Sequence, residues 1–176
     1  YEHALTAARD AIRIFREYGD HLRATQVGII EAGILYEQGR VEEAFDRYLS
    51  LAETVTDDLT LARVHANLAE CGMRLDESKA VIEHARRAIA LFIAAGATTE
   101  VIRVRWTLAH GLLRSGSLDE ALQALLDVRD AFLALGLQGE AAGVLLDIIE
   151  LRVLRQEWDA AFEEAGCSGV GPADHA

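Results

Sequence analysis

The sequence predicts an all-α fold of antiparallel helical hairpins repeated along the chain, on three observations. Proline is confined to a single residue, Pro172, near the end, while Ala, Leu, Glu and Arg are abundant, so little interrupts helices. No segment alternates cleanly at period two, so strands are not expected. And one block recurs. Gly39-Arg-Val-Glu-Glu-Ala44-Phe-Asp-Arg-Tyr48-Leu-Ser-Leu51 aligns with Gly116-Ser-Leu-Asp-Glu-Ala121-Leu-Gln-Ala-Leu125-Leu-Asp-Val128. Each reads Gly, any residue, apolar, acidic, Glu, Ala, then apolar residues four and seven positions on, which is one helix face.

The same frame fits Trp158 to Ala161, Val81 with Ala85 and Ala88, and Ala4 with Ala8 and Ala11. The anchors are therefore Ala4, Ala44, Val81, Ala121 and Ala161, at spacings of 40, 37, 40 and 40. Thirteen residues before two of them stand Leu68-Ala69 and Leu108-Ala109, whose small side chains let paired helices approach closely. Gly39 and Gly116 fall just past helix ends, where a left-handed backbone suits glycine. Acidic residues open the following helix and suit its N-terminal dipole. Between units, Phe15, Phe92 and Phe132 each precede a glycine by four residues. The second unit ends without one, and Asp57 or Asp58 is expected to cap the next helix. In order, helices are expected over 2–18, 22–38, 41–56, 58–75, 78–95, 98–115, 118–134, 138–155 and 158–166. They make one repeat domain over residues 1–166. Residues 167–176, rich in Gly, Ser, Pro and Asp, read as a flexible tail.

Composition narrows function. The chain has 176 residues, 51% of them hydrophobic, enough for a real core. Its net charge of -12, from 17 basic and 29 acidic residues, disfavours phosphate backbones and anionic membranes, so neither nucleic acid nor membrane is an expected partner. Two cysteines, Cys71 and Cys167, form no CxxC and no disulfide framework, which fits a reducing cytoplasm. The longest apolar run, residues 88–97, is about half the ~20 residues a membrane helix needs. Tyr1 is not a start methionine and helical pattern begins at once, as expected of a segment of a longer protein.

These residues resemble the tetratricopeptide repeat family. The second unit supplies its pattern as Ala32, Leu35, Gly39, Ala44, Tyr48 and Leu51, and the fourth as Leu108, Ala109, Leu112, Gly116, Ala121, Leu125 and Val128. The family's usual period is about 34. The longer unit here is similar to that of bacterial regulators such as Rap-type phosphatases, peptide-reading transcription factors and the maltose-regulon activators. The third unit departs from the pattern. Leu75-Asp-Glu-Ser stands where the glycine turn belongs and Val81 where the anchor alanine belongs, so a different hairpin angle is expected there.

The resemblance implies a right-handed superhelix whose first helices line a concave binding face. Carried over by position, that face includes Tyr36, Arg63, Asn67, Arg74, Arg103, Trp106, His110 and Arg114. Arg103, Trp106, Thr107 and His110 fall at i, i+3, i+4 and i+7, on one helix face. Guanidinium groups grip carboxylates bidentately and Trp is a broad apolar anchor, so the expected ligand is an acidic or C-terminal carboxylate segment of a protein or peptide. The family's carboxylate-clamp version places Asn and a basic residue where Asn67 and Arg103 stand, but its other slots here hold Ile29, Gly33 and Thr107. The competing reading gives Trp106 to helix packing and the arginines to ion pairs with neighbouring helices.

Catalytic and cofactor signatures are missing. His65 and Cys71 are six apart on different helix faces, and no HExxH exists. His84 and His110 read as surface or groove residues. Gly166 to Gly171 lacks the GK[ST] of a phosphate loop. Glu42-Glu43 and Glu163-Glu164 diverge on a helix and do not form an acid/base pair. The expectation is a non-catalytic, cofactor-free, cytoplasmic binding scaffold, the sensor or assembly module of a larger bacterial regulator. The rivals are a self-association module that pairs through its terminal half-hairpins, Tyr1–Tyr18 and Glu157–Ala165, and a non-catalytic domain of a larger signalling enzyme.

Overall fold

The computed structural model describes residues 1–166, and every regular element among them is a helix. In order these are α1 (Glu2–Glu17), α2 (His21–Glu37), α3 (Val41–Ala52), α4 (Asp58–Arg74), α5 (Ser78–Ala94), α6 (Thr98–Arg114), α7 (Leu118–Ala134), α8 (Gln138–Leu154) and α9 (Trp158–Glu164). Each packs chiefly on its chain neighbours, so consecutive hairpins stack as a solenoid. The tail expected over 167–176, with Cys167, lies outside the described residues.

One turn chemistry joins nearly all the helices. In each hairpin the residue past the first helix takes a left-handed backbone, and the next N–H reaches back five residues to a helix carbonyl. Gly39 and Gly116 do this at φ 77° and 82°. Arg40 donates to Leu35 O at 3.0 Å and Ser117 to Leu112 O at 2.9 Å, satisfying carbonyls that a helix end leaves open. The third unit uses the same turn without glycine. Asp76 holds φ 59°, and Glu77 donates to Gly72 O at 2.9 Å.

Only the α3–α4 junction differs. α3 stops at Ala52, four residues short of the expected 56. Thr54, Val55 and Thr56 are all β-branched, and the Thr54 hydroxyl donates to Leu51 O at 3.1 Å in place of continuing the helix. Asp57 then caps α4, its carboxylate accepting from Thr60 N at 2.7 Å. That contact with Thr60 holds the Asp57 pKa below the ordinary carboxylate value.

The core runs through the stack in three successive clusters centred on Tyr48, Phe92 and Phe132. Ala44, Val81 and Ala121 are fully buried, and Ala161 is buried too. Ala4 is exposed instead, because α1 turns Leu5, Ala8 and Ile12 against its neighbours. Val81 is larger than the alanine of its position, and glycines on both sides make room. A Cβ on Gly111 of α6 would lie 2.7 Å from a Val81 methyl, and one on Gly72 of α4 would lie 3.1 Å from the other. The apparent irregularity of this unit is thus a compensated exchange of volume between three helices.

Candidate functional site: the first-helix face

The first helices α2, α4, α6 and α8 lie side by side, tied by contacts between residues about one repeat apart. Transverse rows follow from the 40-residue spacing. Arg63 and Arg103 share one position on adjacent helices, as do Asn67, Thr107 and Asp147 in the next row.

Two predicted ligand-gripping arginines are occupied. Arg74, in the last turn of α4, donates from Nη1 to Tyr36 O at 3.1 Å, and its guanidinium lies 4.6 Å from the Tyr36 ring centroid. Arg114, one repeat later, donates to Met73 O and to Asp76, both at 2.8 Å. Tyr36 and Met73 sit at the C-terminal ends of α2 and α4, where carbonyls lack helical N–H partners and the helix dipole is negative; Tyr36 O also accepts from Gly39 N at 3.0 Å. Each arginine therefore caps the preceding first helix. Arg74, Arg114 and Tyr36, expected on the binding face, thus also fasten one hairpin to the next. Burial, the largest influence, raises the Tyr36 phenol.

Trp106 is likewise half packing. Its ring covers Gly143 of α8, where a Cβ would come within 3.0 Å, and meets Phe132 edge-on at 6.0 Å between centroids. Its indole N–H donates to Asp147, which also lies 3.1 Å from His110 Nε2. Desolvation raises the Asp147 pKa, but the hydrogen bonds from His110 and Trp106 prevail and leave it lowered. Trp106, His110 and Asp147 thus form a polar clasp between α6 and α8, each only partly covered.

What stays available is narrower than the sequence list. Arg63 is exposed and makes no ion pair among the described residues. Arg103 has its side chain 63% exposed, with Glu140 no nearer than 3.7 Å. Asn67 is half-buried beside Tyr48, whose hydroxyl reaches past Gly33 from the second layer. Burial drives the Tyr48 phenol far above its ordinary value, so it stays a neutral donor.

Sequence reasoning missed two buried polar groups. His84, read as a surface or groove residue, is buried, and its Nδ1 stands 3.2 Å from Nδ1 of His65 across α4 and α5. Glu31 is buried in α2 and accepts from Arg9 of α1 and Arg47 of α3. The signal was there for Glu31: it interrupts an inward stripe of Ala24, Gly28, Ala32 and Leu35.

No family model matches the chain, and no curated protein matches it. Solved structures do. The apo form of RapI aligns at 18% identity and TM-score 0.73, covering 92% of this chain and 69% of that one. A Rap protein complexed with Competence and Sporulation Factor aligns at 18% and 0.61, covering 92% and 55%. A Podosopora anserina protein described as a kinesin light chain with nearly identical TPR-like repeats aligns at 14% and 0.52, covering 81% and 87%. At these identities the likeness is one of fold. The fold is a tetratricopeptide-type solenoid. In this tetratricopeptide-type array the hairpin stack corresponds to that expected from the repeat, and no helix among the described residues is long and apolar enough to cross a membrane.

Proposed function

We propose that the chain is a non-catalytic, protein- or peptide-binding scaffold whose first-helix face takes an acidic or C-terminal carboxylate segment, as the sensor or assembly module of a larger bacterial regulatory protein. One observation carries the reading. In a chain of net charge -12, Arg63 and Arg103 stand exposed at the same place on adjacent first helices, Arg63 with no ion pair among the described residues and Arg103 with only a loose, solvent-exposed one, 3.7 Å from Glu140. Neighbouring packed helices lie ~8–10 Å apart, a span that one extended acidic segment bridges. Asn67 and the open edges of Trp106 and His110 continue the surface below them. A Rap protein of similar fold has been solved with a bound factor, which supports binding by such arrays.

The test is affinity for acidic peptides with free C-terminal carboxylates, wild type against Arg63→Glu/Arg103→Glu. Losing two charge-assisted contacts, at about 1.5–3 kcal/mol each, lowers affinity by at least tenfold. Equal affinities would remove the two arginines from the site. A second reading, self-association, is favoured by Leu154, Trp158 and Phe162, which are 65%, 53% and 60% exposed at one end of the stack. Light scattering decides it: a monomer at high concentration excludes that reading.

A further inference from the structure

The most concentrated basic feature lies away from the first-helix face. α1 and α3 flank a cleft of about 550 Å³ over α2, lined by Arg9, Ile12, Arg13, Arg16 and Glu17 of α1, Glu31 of α2 and Arg47 of α3. Glu31 is 7% exposed, and an unpaired carboxylate so placed is costly. It is held by two arginines in an uncommon way. Arg9 donates only its Nε, at 3.0 Å to Oε1, and Arg47 only its Nε, at 2.8 Å to Oε2. The usual forked grip of guanidinium on carboxylate is absent. The Nη groups of both arginines donate to no acceptor among the described residues, and none of them is a fully buried orphan. Each therefore keeps some contact with solvent, Arg9 more than Arg47.

The surroundings complete a cradle. The Arg47 guanidinium lies over Gly28, where any Cβ would come within 2.9 Å of Nη2. The Arg16 side chain makes no ion pair or hydrogen bond among the described residues, while its backbone carbonyl accepts from Gly19 N. Arg13 is tied only to Glu17 and Asp10, in exposed pairs of little strength. Four guanidinium groups thus meet two lining carboxylates, Glu17 and Glu31, with Asp10 beside Arg13 and Glu43 near Arg9 at the rim, in a chain that is otherwise strongly acidic. A purely structural role, joining α1 to α3 through Glu31, accounts for the two Nε bonds. It accounts neither for the unused Nη donors nor for Arg13 and Arg16 on the same stripe of α1.

We infer that the α1–α3 cleft is a binding site for a multiply charged oxyanion, with Glu31 fixing Arg9 and Arg47 so that their Nη groups face the ligand and Arg13 and Arg16 closing over it. Phosphoryl groups and clustered carboxylates share this chemistry, and the probes separate them. Calorimetric titration of the full chain with pyrophosphate and, separately, with citrate at constant ionic strength is expected to show one saturable site for at least one of them. Arg13→Ala/Arg16→Ala, which leaves the Glu31 pairs intact, lowers that affinity tenfold or more. Arg63→Glu/Arg103→Glu, on the other face, leaves it unchanged. If the double variant melts early, Arg16→Gln alone, altering one unpaired side chain, serves in its place with at least a threefold loss. No saturable binding of either anion, or binding that these α1 variants retain in full, would overturn the proposal.

Discussion

Lowering the pH from 7 to 5 is expected to cost the protein about 2 kcal/mol of stability through His65 alone. Its ring is buried against His84, the planes 19° apart and the Nδ1 atoms 3.2 Å apart. That contact is a hydrogen bond only if one Nδ1 carries a proton and the other does not, a condition that two neutral rings of opposite tautomer meet. Burial first, then the positive charge His84 would carry and that of Arg87, outweigh Glu83 and push the His65 pKa down to about 4. Burial lowers His84 in the same direction, with Glu83 opposing and Arg87 adding. Phe45 of α3 closes the third side, its ring edge-on to His84. Between the unfolded value near 6.5 and the folded value near 4, the unfolded chain binds more protons than the folded one. Stability therefore falls as pH drops through that window and is complete above it. The lowered carboxylates, Glu43, Asp57 and Asp147, lose their contribution only below their ordinary values, under the pH 5 of the comparison, while Glu70, raised by burial, acts in the opposite sense to His65. Urea melts at pH 7 and pH 5 measure the effect, and His65→Phe/His84→Phe should flatten it. A wild type equally stable at both values would contradict the buried neutral pair.

Phe132→Ala is expected to cost about 3–5 kcal/mol and to loosen the binding face with the core. Phe132 is fully buried in the last cluster and is the wall against which Trp106 stands edge-on. Without it, Trp106 loses the contact that aims its N–H at Asp147, and the clasp with His110 opens. Trp158 is exposed, so a Trp158→Phe background leaves Trp106 as the sole tryptophan. In that background Phe132→Ala should shift emission to longer wavelength and lower the melting temperature together. A lower melting temperature with unchanged emission would show that α8 alone seats Trp106.

The repeat was legible because its signals are local. Glycine at 39 and 116, small anchors at 44 and 121, and apolar residues four and seven positions on each act through one helix or one turn. Asp76 escaped that reasoning because an aspartate can adopt the left-handed backbone when the Schellman bond from Glu77 rewards it. The end of α3 escaped it because the choice between helix and β-branched loop is settled by one hydroxyl on Leu51 O. The partners that the candidate site's side chains take within the chain were not legible. Nothing in the sequence near Arg74 reveals that Tyr36 O lies within reach, since the partner is 38 residues away and the contact exists only once hairpins stack. The same holds for His65 with His84 and for Glu31 with Arg9 and Arg47, where long-range packing alone turns ordinary surface residue types into buried pairs.

Amide chemical-shift mapping of the protein with a bound acidic C-terminal peptide tests the central claim most directly. The first-helix account predicts perturbations along α4 and α6, strongest around Arg63, Asn67, Arg103 and Thr107, with the outer helices α3, α5 and α7 little affected. Perturbations confined to α8 and α9, or to the outer layer, would contradict it.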